Sequence, residues 1–170
     1  GLIYDCHRAW DRYPERMESA LAYDADLVFA ASANLLEHVS PCNPNTFLLA
    51  NGVNYGLYAR GGNPDTPPDP AIARLRRPVF GYLGNVDRNT DLTPLFYTAK
   101  RNPDWSFVII GRISAAHPDA SKLKQSKNIV CIGRHSPAEV PQCLAACDVC
   151  IDLLHNDIAD EDVVPERLYA

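Results

Sequence analysis

Apolar residues in the second half of the chain fall in short, nearly unbroken runs that stop at glycine. "PVFGYLG" ends at Gly84, "SFVIIG" at Gly111 and "NIVCIG" at Gly133, and a fourth run, "VCIDLL", ends at Leu154. Runs of this kind are apolar on both faces and predict strands of a parallel sheet that is covered on each side. Between them stand segments with helical spacing, "TDLTPLFYTAKRN" and "SPAEVPQCLAACD", and a shorter one around "DASKLKQ". Strand and helix alternate, which predicts a doubly wound α/β layer. In "SPAE", Ser136 can cap, Pro137 suits a first helical position and Glu139 can reach back, so a helix is predicted to start there.

The first sixty residues repeat the alternation less regularly. "GLIYDC", "DLVFAAS" and "NTFLLANG" read as strands, while "PERMESALAYDA" and "ANLLEHV" read as helices. Between the halves lies "GGNPDTPPDP", Gly61 to Pro70, with four of the chain's 14 prolines. Proline lacks the N–H that ladders and helices need, so this stretch is expected to be a semi-rigid linker between pieces of two domains.

Composition narrows the function classes. The formal net charge of −5 argues against a nucleic-acid or polybasic membrane surface, although a local basic site for an anionic ligand is compatible with it. No apolar run has the length of a membrane span and the first residues lack the pattern of a signal peptide, so cytoplasm is the expected location. Six cysteines are present, several inside apolar runs such as "IVCIG" and "DVCID", where cysteine acts as a small buried hydrophobe. The pair Cys147 and Cys150 has redox or metal spacing, but Cys147 closes a predicted helix rather than opening one.

Candidate chemistry gathers in the loops after the strands, at the carboxyl edge where open α/β sheets bind ligands. "GYLGNVDRNTD" resembles a phosphate-binding turn, with small residues at Gly81 and Gly84 and a helix following. It has neither the G-K-[ST] of a Walker loop nor a G-x-G-x-x-G, and a plain tight turn is the alternative. Arg112 and Arg134 each follow a strand-ending glycine. They read either as solvated charges or as a clamp for a diphosphate, with Arg167 as a third member. His155 among Asp157, Asp160, Glu161 and Asp162 could hold a hard cation or belong to an acidic loop. His7 ends the first predicted strand, as a general base or as a packed imidazole. Asp5, two positions earlier on the same face, could orient it.

Taken in order, "ADLVFAASANLLEHV", "LLANGVNYGLY", "RPVFGYLGNVDRNTDL", "NPDWSFVIIGR", "NIVCIGRHSPAEVPQCLAACDVCIDLL" and "VPERLYA" resemble the nucleotide-sugar-dependent glycosyltransferases of GT-B type, group 1, family 4. The resemblance spans nearly the whole chain. It implies Rossmann-like doubly wound parallel sheets, incomplete in both domains. Residues 1–62 would be the end of an acceptor domain, 63–77 a linker and 78–170 the first half of a donor domain.

Residue by residue, the resemblance places Gly84 and Asn85 in the loop near the donor diphosphate, and Arg112, Arg134 and His135 around the phosphates and base. "PERL" is similar to the start of the donor-binding helix, with Glu166 and with Arg167 in the place of a lysine. His7 is similar to the histidine that faces the reacting sugar. Tyr169 and Ala170 stand where the family has an acid that holds the ribose.

The implied activity is transfer of a sugar from a nucleotide-diphosphate sugar to a hydroxyl of a glycan or lipid-linked acceptor, with retained configuration. It would need no metal cofactor and no nucleic acid, and the full-length protein could associate peripherally with the inner face of a membrane. The chain is then expected to be a fragment. The alternatives are a non-catalytic nucleotide-sugar-binding module and, more remotely, a redox or metal protein built on the cysteine pair and the acidic loop.

Overall fold

A computed structural model of the protein describes residues 1–7 and 15–154 of the 170. The expected helix in "VPERLYA", with Glu166 and Arg167, and the acidic stretch after Leu154 lie outside the described residues. Two compact units are present, one of Gly1–Gly52 and one that begins at Val53.

The first unit contains strands β1 (Ile3–Cys6), β2 (Leu27–Ala30) and β3 (Thr46–Leu48) and helices α1 (Glu15–Asp24) and α2 (Ala33–Val39). The strands are parallel and ordered β1-β2-β3. Alternation along β1 turns Tyr4 and Cys6 inward, where they join Val28, Ala30, Leu35 and Val39 in one core. Ser32 caps α2 by accepting the Leu35 N–H at 3.2 Å. Buried inside this unit is Glu18, which accepts the Tyr4 hydroxyl at 2.8 Å and the Cys6 thiol at 3.6 Å. His38 Nε2 lies 3.1 Å from its other oxygen. A carboxylate is tolerable in a core when partners surround it in this way. Burial, with the neighbouring Cys6 and Glu18, holds the Tyr4 phenol firmly protonated.

The second unit opens with α3 (Tyr55–Tyr58), a tight 3-10 turn at Ala59–Gly62 and α4 (Pro70–Ala73). It continues through β4 (Val79–Leu83), α5 (Thr93–Arg101), β5 (Ser106–Ile110), α6 (Ala120–Gln125), β6 (Ile129–Gly133), α7 (Val140–Ala145) and β7 (Val149–Ile151). All four strands are parallel in the order β6-β5-β4-β7. Successive residues of β5 serve opposite faces. Phe107 and Ile109 pack with Tyr82, Leu92, Leu95 and Leu123, whereas Val108 and Ile110 pack with Ile72, Val79, Cys143 and Ala146. Each such fully buried aliphatic side chain contributes about 1.5–3 kcal/mol. The exposed pair Arg76–Asp104, 2.5 Å apart, belongs to a class worth about 0–1 kcal/mol, so burial and not surface charge holds this sheet.

Four expectations are corrected. The strands "NIVCIG" and "VCIDLL" are not covered on both faces: β6 and β7 are the edges of the described sheet, and Cys131, Val149 and Cys150 are exposed. The last strand is shorter than its apolar run, and Leu154 forms only an isolated bridge to Thr90. The helix predicted from Pro137 begins at Val140, because Ser136 to Glu139 form a turn in which the Glu139 and Val140 N–H groups both donate to the Ser136 carbonyl. The proline-rich stretch is a packed part of the second unit. Asp69 caps α4, its N–H donates to the Gln142 carbonyl at 2.9 Å, and Ile72 is fully buried in the core.

Candidate functional site

An open sheet ordered β6-β5-β4-β7 reverses direction between β4 and β7, and the crevice beyond the carboxyl ends of those two strands is where such sheets take ligands. The loop after β4 lies there and is seamed on both sides. Towards β5, the Gly84 N–H donates to the Ile110 carbonyl at 3.0 Å, the Val86 N–H to Arg112 at 2.8 Å and the Ser114 N–H to Val86 at 2.9 Å. Towards β7, the Asp91 N–H donates to the Leu153 carbonyl at 2.7 Å. The turn itself is closed by Asp87 and Thr90, whose hydroxyl oxygen accepts the Asp87 N–H at 3.1 Å.

Asn85 is the node of this rim. Its Oδ1 accepts the Arg112 N–H at 3.0 Å, and its carbonyl accepts the hydroxyls of buried Tyr82 at 3.3 Å and Thr90 at 3.4 Å. Gly111 makes the crossing possible, since a Cβ there would overlap the Gly84 carbonyl oxygen. Buried His117 braces the far side. Its Nε2 lies 3.1 Å from the Thr90 carbonyl and its Nδ1 accepts the Asp119 N–H at 3.1 Å, which together define the neutral Nε2–H tautomer. With their backbones so fixed, Gly84 and Asn85 define the rim, and the side chain of Arg112 projects from it exposed.

The loop after β6 is built differently. Gly133 has φ of +79°, a left-handed conformation that glycine adopts without strain. It is followed by exposed Arg134 and by half-buried His135. The His135 Nε2 lies 3.5 Å from Asp69 Oδ2, so its ring is directed towards the segment before β4. The Ser136 N–H and hydroxyl both donate to Glu139 Oε2 at 2.7 Å, which holds the Glu139 carboxyl below the usual range. The glutamate reach-back anticipated from "SPAE" is therefore present, although the serine donates where a capping box has it accept.

His7 belongs to the first unit. It is exposed, and its Nε2 lies 3.0 Å from Asp5 Oδ2, the contact that their two-residue spacing anticipates. Arg112, Arg134 and His135, together with Gly84 and Asn85, share the loop side of the second unit's sheet; Glu166 and Arg167 lie outside the described residues.

Sequence reasoning passed over Tyr82, Thr90, His117 and Asp69. Only Asp69 had a local signal, an N-cap residue directly before a proline. The six cysteines are free, Cys6 and Cys143 fully buried, and the Cys147 thiol donates to the Cys143 carbonyl at 3.3 Å. Burial pushes the Cys147 thiol up to about 12, so it is not the activated thiolate of a redox pair. Among the described residues, no helix is long and apolar enough to cross a membrane.

Two Rossmann-like parallel sheets in separate units constitute an α/β fold of the GT-B glycosyltransferase type. Solved structures carry the match. HepE of Anabaena, crystallised with UDP and glucose, is similar with a TM-score of 0.65 and 18% identity over 90% of this chain and 46% of its own. The same protein with UDP-glucose gives 0.63 at 18% identity, covering 90% of this chain and 46% of its own. Sucrose-phosphate synthase of Thermosynechococcus elongatus gives 0.62 at 17% identity over 94% of this chain and 47% of its own. The chain thus spans about half the length of these structures. No protein-family model matches the chain, and neither does any curated protein.

Proposed function

We propose that the chain is part of a glycosyltransferase that moves a sugar from a nucleotide-diphosphate donor to a hydroxyl acceptor, with the donor seated at the rim of the second unit. The observation that carries this reading is the doubly seamed loop after β4 at the strand-order reversal, with Arg112 projecting beside it. Fold neighbours crystallised with UDP and with UDP-glucose support a nucleotide sugar as the ligand class.

The Gly84, Val86 and Arg112 N–H groups are spent on the loop's own seams, and the frame they lock holds cations that need no reorganisation when negative charge develops on a departing diphosphate. Arg112 and Arg134, with Arg167 of the donor-helix motif, supply the compensating cations. On this reading the diphosphate is stabilised by protein groups without a metal. His7, oriented by Asp5, faces the reacting sugar, and Gly84, Asn85, His135 and Glu166 complete the donor contacts. Retention of configuration, a glycan or lipid-linked acceptor, and a cytoplasmic protein touching the inner face of a membrane belong to the same proposal.

Calorimetric titration with UDP, UDP-glucose and a GDP-sugar, alongside a transfer assay on the full-length protein, tests it. One equivalent of a nucleotide sugar should bind, about tenfold more weakly after Arg112→Ala, and transfer should collapse on His7→Ala or Arg167→Ala. Binding without transfer would identify a non-catalytic nucleotide-sugar module. No binding of any nucleotide by folded protein would overturn the proposal.

A further inference from the structure

The contact between the segment before β4 and the loop after β6 has an unusual chemical make-up. Asp69 uses one carboxylate oxygen to cap α4, accepting the N–H groups of Ala71 at 2.8 Å and Ile72 at 3.1 Å. Its other oxygen is directed at His135 Nε2, but at 3.5 Å this is beyond a good hydrogen bond. The second ring nitrogen, His135 Nδ1, is buried with no hydrogen-bond partner among the described residues. A ring nitrogen buried in this way has given up water without gaining a partner, which is unfavourable. Beside it lies Cys143, on α7 and fully buried. One donor atom each of Asp69, His135 and Cys143 lies within 4.8 Å of the others.

We propose that Asp69, His135 and Cys143 form a binding site for one divalent ion of the zinc class, which clips the segment before β4 to the β6–α7 junction. One oxygen, one nitrogen and one sulfur donor are a set that zinc accepts and that magnesium and calcium, which take oxygen ligands, do not. Charge also closes, because the carboxylate and a cysteine thiolate balance two positive charges. Zinc bonds of about 2.1–2.3 Å in a tetrahedron put ligand atoms roughly 3.4–3.8 Å apart. The donors, within 4.8 Å of one another, therefore need to close by about 1.4 Å at most, a movement within side-chain rotation. Three protein ligands leave the fourth position to water.

Without metal, burial and the carboxylates of Asp69 and Glu139 push the Cys143 thiol up to about 11. Binding at neutral pH therefore displaces one proton from Cys143 to solvent as the sulfur–metal bond forms. The apparent affinity should rise about tenfold per pH unit from that proton alone. Of the three ligands only His135 is also a proposed donor contact, so Asp69 and Cys143 variants separate the clip from nucleotide binding.

The test is titration of the metal-stripped chain with Zn²⁺ against a chromophoric chelator, with Co²⁺ as a spectroscopic stand-in. One equivalent should bind, Co²⁺ should show a thiolate charge-transfer band, and the thermal midpoint should rise. Cys143→Ser, His135→Gln and Asp69→Asn should each weaken Zn²⁺ binding at least tenfold, and Asp69→Asn retains a capping side chain, so circular dichroism should stay native. Cys131→Ser and Cys150→Ser, at exposed thiols, should change nothing. Absence of stoichiometric binding by folded protein would overturn the proposal, as would unchanged affinity in Cys143→Ser or loss of binding in Cys150→Ser.

Discussion

The loops after β5 and after β6 leave neighbouring, hydrogen-bonded strands of one sheet, yet they are held by opposite means. From Gly111 to His117 the chain is locked by backbone hydrogen bonds and by a histidine whose two nitrogens are both satisfied. From Gly133 to Glu139 backbone bonds are confined to the turn at Ser136, side chains make the other contacts, Ser136 to Glu139 and His135 to Asp69, and His135 Nδ1 is left over. A loop whose hydrogen-bonding capacity is spent internally forms a rigid frame and offers a ligand its protruding charge, here Arg112. A loop with buried capacity left over can take up a further atom.

Breaking the frame should have the largest effect. Gly111→Ala forces the β4 and β5 loops apart, and a loss of about 3 kcal/mol is expected in urea unfolding, together with loss of nucleotide binding. His117→Ala, which strands the Thr90 carbonyl and the Asp119 N–H, should cost about 2 kcal/mol in the same measurement. Asn85→Ala removes one rim hydrogen bond and should cost about 1 kcal/mol while weakening nucleotide binding. By contrast, Arg134→Ala in the β6 loop should leave the urea midpoint within about 0.5 kcal/mol of the parent, because the side chain is exposed.

A pH-dependent effect sharpens the comparison from the β6 side. In chelator, the Cys143 thiol titrates at about 11 when folded against an ordinary 9.0. A raised thiol value means that the folded state holds its proton longer, so this stabilisation is complete below pH 9 and is lost as pH rises through about 11. Cys143→Ala should flatten that part of the stability profile, as read by urea midpoints between pH 9 and 11.

Much of the frame was legible in the residues. Runs ending at Gly84, Gly111 and Gly133 located three strands, and the position of Arg112 and Arg134 just beyond two of them followed directly. The proline-rich stretch misled because low helix and sheet propensity is local, whereas Asp69 and Ile72 gain their order from α7 and from the core across the sheet. Cys131 and Cys150 misled for the converse reason. An apolar run predicts burial only where something covers the strand, and both residues lie on edge strands.

By itself, the sequence determined which segments are strands, that the strands are parallel, and which loops carry cations, since periodicity and glycine punctuation are properties of neighbouring residues. Only the tertiary structure decided the order β6-β5-β4-β7, and with it the crevice between β4 and β7. It alone joined Asn85 to Arg112 and set Asp69 beside His135 and Cys143. These pairings depend on which strand lies next to which, and that is settled by how the two faces of β5 are covered rather than by any residue's immediate neighbours.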